Sequence, residues 1–231
     1  MNTIPCCQNG IVYGHSDDGA TMALCECIHG QRLRYPMLPD EMLSWTFDNF
    51  PGPASTRDVI RDWCAGRKWL VLAGFPGVGK TSLAVCAYKA DCDRRIAILD
   101  DITWIMGRCW TASGPVTIPH PQWWAVERLV ETAKTSMDGD VKDPLPAVRE
   151  SVPFLVLDDL GNERGTDYDR NAVRQILGRR YERHDTMRTV ITTNKSPAAL
   201  SDYLGGWMAD RLQQVALVIP FAATHSMRRL L

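Results

Sequence analysis

No apolar run in this 231-residue chain approaches the roughly 18 to 20 residues needed to span a bilayer. The opening MNTIPCCQNG has neither the basic start nor the apolar middle of a secretion signal. Both absences predict a cytosolic protein. A surplus of charge is also missing: 26 Lys and Arg stand against 27 Asp and Glu, for a formal net charge of −1. No global field therefore draws the chain to nucleic acid, and any such contact needs a local basic patch. Internal repeats and low-complexity tracts are absent, which excludes a repeat array.

What is present is ordinary globular composition, 45% hydrophobic and 23% charged, in a length that supports one good core and is too short for two large domains. Short apolar runs predict buried strands at residues 69–73 (WLVLA), 95–99 (RIAIL), 153–159 (PFLVLDD), 189–194 (TVITTN) and 216–221 (ALVIPF). Helical stretches lie between them. SLAVCAYKA is one, and residues 169–184 place Val173, Ile176, Leu177 and Tyr181 on one face. Alternating strands and helices predict a doubly wound α/β domain. Two segments break the pattern: residues 1–43, with cysteines, glycines and little periodicity, and residues 111–150, which read as a long irregular insertion.

The first strand runs directly into GFPGVGKTS, residues 74–82, which fits GxxxxGK[ST] between a strand and a helix. Glycine lets the backbone bend until successive N–H groups face an anion, and the helix start adds its positive end. A random chain of this length matches the pattern on the order of once in 100. Gly74, Pro76, Gly77, Val78, Gly79, Lys80, Thr81 and Ser82 are thus the expected phosphate-contacting set, with Lys80 reaching the β- and γ-phosphates and the Thr81 hydroxyl on Mg²⁺. Hydrolysis needs a carboxylate at the end of a neighbouring buried strand, and PFLVLDDLG supplies two. Asp158 is expected to hold Mg²⁺ and Asp159 to polarise the attacking water. Asn194, ending the fourth strand, offers an amide that can donate and accept at once.

Taken in order, GFPGVGKTS, LVLDDLGNER, RRYERHDTMRTVITTNKSPAAL, GGWMADRL and HSMR resemble the successive motifs of the DnaC/IstB group of AAA+ ATPases, with WTFDNFPG at 45–52 as the leading segment. The resemblance covers about residues 43–229. It implies an AAA+ P-loop fold with a five-stranded parallel sheet between helices, in which Asp158 and Asp159 are the Walker B pair and Asn194 is sensor 1. Arg211 would match the arginine finger and Arg228 sensor 2. An arginine finger acts on nucleotide held by a neighbouring subunit, which implies a head-to-tail ring or spiral. Many AAA+ proteins have Glu where Asp159 stands, so slow turnover is expected.

The remaining cysteines and aromatics are read beside that resemblance. Residues 1–43 form a Cys-containing segment ahead of an ATPase domain at 44–231, and Cys6, Cys7, Cys25, Cys27 and His29 are candidate Zn²⁺ ligands. Their spacing is tighter than the usual two to four intervening residues, so zinc and unliganded thiols are both open. Cys64, Cys86, Cys92 and Cys109 read as small core or surface residues. Single-stranded DNA, implied by the family, wants basic and aromatic side chains, for which Trp104, Arg108, Trp110, Trp123 and Trp124 are the available set. The functional expectation is an ATP- and Mg²⁺-dependent loader of a replicative hexameric helicase, working as an oligomer. An IstB-like transposition helper with a transposase partner is one alternative. A P-loop nucleotide kinase is another, and an ATP-gated binding module with negligible hydrolysis a third.

Overall fold

The computed structural model describes residues 11–16, 19–66, 68–97, 103–105, 108–111, 114–116, 120–136, 142–163 and 165–221. Strands β1 (Ile11–Ser16) and β2 (Gly19–Leu24) form an antiparallel pair, followed by helices α1 (Ile28–Arg34), α2 (Asp40–Leu43) and α3 (Ala54–Ala65). Strand β3 (Trp69–Gly74) leads into α4 (Lys80–Ala97). Three short strands, β4 (Thr103–Ile105), β5 (Arg108–Thr111) and β6 (Gly114–Val116), make a separate antiparallel sheet. Then come β7 (Gln122–Ala125), α5 (Val126–Thr135), α6 (Leu145–Glu150), β8 (Phe154–Leu160), α7 (Asp167–Tyr181), β9 (Arg188–Thr193), α8 (Pro197–Leu204), α9 (Gly206–Val215) and β10 (Ala216–Phe221).

The main sheet has the order β10-β3-β9-β8-β7, and every neighbouring pair is parallel. Its strands read as continuous apolar runs because both faces are covered. In β3, Trp69 and Val71 belong to a cluster with α5, α6, α7, α8 and α9, while Leu70 and Leu72 belong to a second cluster with α3 and α4. Side chains alternate across a strand, so consecutive residues serve opposite cores. Tyr35, Leu38, Leu43 and Phe50 pack into the second cluster, joining the segment around α1 and α2 to helix α4.

Local sequence explains how α7 starts and what anchors it. Thr166 accepts from the Asp169 N–H while Asp169 accepts from the Thr166 N–H, a capping box that starts α7. On α7, the fully buried Arg180 donates to Val148 O, Val152 O, Arg188 O and Thr189 Oγ1 at 2.7–2.9 Å. Burial pushes its proton affinity down, to about 9. One guanidinium thus ties α6, α7 and β9 together.

The structure corrects three sequence expectations. Residues 95–97, expected to begin a strand, extend α4 instead, and 98–99 lie outside the described residues. The last turn is held by Asp91, which pairs with Arg95 at 2.6 Å and Arg94 at 3.6 Å, cations that also suit a helix C-terminus. The sheet position next to β8 is filled by β7, so the segment read as an irregular insertion contains a core strand and two helices. Trp123, expected among DNA platforms, is consequently a core residue, edge-on to Tyr88 with ring centroids 6.2 Å apart, and Trp124 packs half-buried against the other cluster. Trp104, Arg108 and Trp110 fall on β4 and β5. Cys64, Cys86 and Cys92 are buried as expected; burial pushes the first two thiols up to about 11 and about 12, which keeps them inert. Among the described residues no helix is long and apolar enough to cross a membrane.

Candidate nucleotide site

The site lies where β3, β8 and β9 end together, at the carboxyl edge where open α/β sheets bind ligands. Gly77 and Gly79 sit at φ of 80° and 88°, a left-handed backbone that lets the loop turn back before α4 begins at Lys80. Phe75, 66% exposed, marks the mouth of the loop. Lys80 is buried, and its ammonium donates to Gly74 O at 2.9 Å, Phe75 O at 2.8 Å and Asn194 Oδ1 at 2.8 Å. Lys80 and Asn194, 114 positions apart, are thus in direct contact. Phosphate oxygens entering the loop would take over from these acceptors.

The acidic side is equally well ordered. Thr81 Oγ1 donates to Asp158 Oδ1 at 3.1 Å, and Thr192 Oγ1 donates to the same oxygen at 2.6 Å. Burial pushes the Asp158 carboxyl up to about 6, and the nearby Asp159 charge pushes the same way, against the two hydroxyl bonds and Lys80. A carboxylate whose ionisation burial penalises is suited to a further cation that would offset that cost. A hydroxyl and a carboxylate oxygen in contact form a hard oxygen donor set that fits Mg²⁺. Asp159 stands at φ 58°, left-handed for a residue other than glycine, and its N–H donates to Thr192 Oγ1 at 2.8 Å.

The structure therefore brings Lys80, Thr81, Asp158, Asp159 and Asn194 together. Arg211 lies elsewhere, on α9, with its guanidinium 4.8 Å from the Tyr181 ring and 4.9 Å from the Trp207 ring. It lines an open groove with Arg149, Arg174 and Arg179. Arg228, Cys6 and Cys7 lie outside the described residues. Cys25, Cys27 and His29 are described, with Cys27 N donating to Cys25 Sγ at 3.5 Å, and no group of three metal-ligating side chains exists among the described residues. Sequence reasoning missed Thr192, although strand alternation puts it on the same side as Asn194 two positions on.

No family model matches the chain, and neither does any curated protein. Solved structures do. The DnaC helicase loader is 25% identical, with a TM-score of 0.62 over 79% of this chain and 99% of that one. DnaI is 20% identical, with a TM-score of 0.59 over 85% of this chain and 100% of that one. AMPPCP-bound DnaA from Aquifex aeolicus is 16% identical, with a TM-score of 0.54 over 83% of this chain and 53% of that one. Parallel sheet, covering helices and glycine loop place the chain in the AAA+ P-loop class. Within that class it is DnaC-like.

Proposed function

We propose that the chain is an ATP- and Mg²⁺-dependent replication ATPase of the helicase-loader kind. The observation that carries this reading is the hydrogen-bonded meeting of Lys80 with Asn194 and of Thr81 with Asp158, which joins the loop to the acidic strand end. The likeness to the DnaC helicase loader supplies the biological direction. Gly74, Pro76, Gly77, Val78, Gly79 and Ser82 complete the phosphate loop around Lys80 and Thr81. Thr81 and Asp158 would hold Mg²⁺, which when bound offsets phosphate charge. Asp159 accepts the proton of the attacking water, and Asn194 orients that water and the terminal phosphate through its amide.

Arg211 completes the site from a neighbouring subunit, where its fixed positive charge meets the charge developing on the transferred phosphoryl group. Its arginine-lined groove suits an anion, and Arg228 serves as the second sensor. The assembly is a head-to-tail ring or spiral that grips single-stranded DNA in the ATP state and releases it on hydrolysis. Residues 1–43 dock the partner, a replicative hexameric helicase, in the cytoplasm.

Calorimetry with Lys80→Ala tests the core of this reading. ATP affinity should fall roughly 10- to 100-fold, the worth of a charge-assisted hydrogen bond, and ATP-dependent DNA retention should fall with it. Unchanged binding of ATP and single-stranded DNA refutes the mechanism. Capture from the native cell in ATP should retain a hexameric helicase; a transposase in its place would assign the chain to transposition.

A further inference from the structure

From the pairing of β8 and β9 we infer that Thr192 is a positioning residue that aims both acidic side chains through one buried hydroxyl. The consequence for turnover rests on the hydrolysis reading above; the cause rests on strand geometry alone. Leu157 pairs with Ile191, and the next pair is Leu160 with Thr193, so β8 advances three residues while β9 advances two. On the β9 side Asp158 and Asp159 therefore stand against the single residue Thr192, the two-against-one arrangement of a β-bulge. At the bulge Asp159 takes a left-handed backbone, φ 58°.

A bulge takes an N–H out of the ladder, and a buried N–H without an acceptor is costly. Thr192 Oγ1 supplies that acceptor for Asp159 N at 2.8 Å. Its own single proton goes to Asp158 Oδ1 at 2.6 Å. The hydroxyl is thus read in both directions: one lone pair fixes the Asp159 backbone, and the proton fixes the Asp158 carboxylate. Thr81 reaches the same Oδ1 from α4, so that oxygen is held from the loop side and from β9. Thr193 cannot substitute. It faces the other way, donating to Leu160 O at 2.8 Å and accepting from Lys195 N at 3.1 Å.

Thr192→Val keeps the branched outline and removes both hydrogen bonds; Thr192→Ser keeps them. In the full-length protein the Val variant should lower kcat on the order of 10- to 100-fold through misplaced acidic groups, with KM for ATP little changed, and the Ser variant should restore it. Amide hydrogen exchange in nucleotide-free protein gives an independent readout: the Asp159 N–H should be protected in the wild type and in Ser, and exchange freely in Val. Thr192→Cys, a weak donor of similar size, replaces Val if that variant does not fold, with the same direction expected. Wild-type turnover by the Val variant, a Ser variant as impaired as Val, or an Asp159 amide still protected in Val would each overturn the inference. Absence of turnover in the wild type would defeat the hydrolysis reading, and the exchange measurement would still decide the role of Thr192.

Discussion

Replacing Asp158 by Asn should make the nucleotide-free protein more stable while abolishing its use of Mg²⁺ and ATP. The side chain is buried, with two hydroxyls on Oδ1 and the charge of Asp159 nearby, and its carboxyl is pushed up from the usual 3.8 to about 6. The sign follows from proton binding. Between about pH 4 and pH 6 the folded state holds a proton that the unfolded state has lost, so wild-type stability falls as pH rises through that window and stays level above it. The full penalty is about 3 kcal/mol. An Asn carbonyl still accepts from Thr81 and Thr192, but its new N–H₂ needs a partner, which brings the expected gain at pH 8 to about 2 kcal/mol. For a domain of this size that is about 4 to 8 °C in thermal midpoint. Thermal unfolding from pH 4 to pH 8, with and without Mg²⁺ and ATP, checks it. The advantage should vanish near pH 4, and only the wild type should gain from the ligands. A midpoint at pH 8 equal to or below the wild type's, or an advantage undiminished at pH 4, would refute the reasoning.

Two further outcomes follow from the same geometry. Arg211→Ala should leave ATP binding intact and cut turnover by roughly 10³- to 10⁵-fold if the guanidinium acts across a subunit boundary, as phosphate-release assays over a range of protein concentration would show; normal turnover removes the shared site. Arg180→Leu should cost about 3 to 5 kcal/mol in urea unfolding, because three backbone carbonyls and Thr189 lose a buried partner; a loss under about 1 kcal/mol would show that α6, α7 and β9 do not depend on it.

Much of the candidate site was legible in the linear chain because its parts are local patterns. Strand β3 followed by GFPGVGKTS needs only apolar run, glycines and helix start in succession, and β8 carries its aspartates at its own end. Strands β8, β9 and β10 fall within a residue of their predicted places. RIAIL misled because an apolar pentapeptide fits a strand or a helix turn equally, and Asp91 with Arg94 and Arg95 decides for the helix. QWWA was overlooked because four residues carry too little periodicity to announce a strand.

Short-range order of glycine, lysine, hydroxyl and carboxylate was therefore enough to pick out the candidate residues, since each motif bends or caps the backbone within its own few residues. Which groups meet was decided by folding. The contacts of Lys80 with Asn194 and of Thr192 with Asp158 and Asp159, like the raised proton affinity of Asp158, arise from residues 33 to 114 positions apart brought side by side away from water. Register and burial are properties of that packing, and no window of sequence contains them.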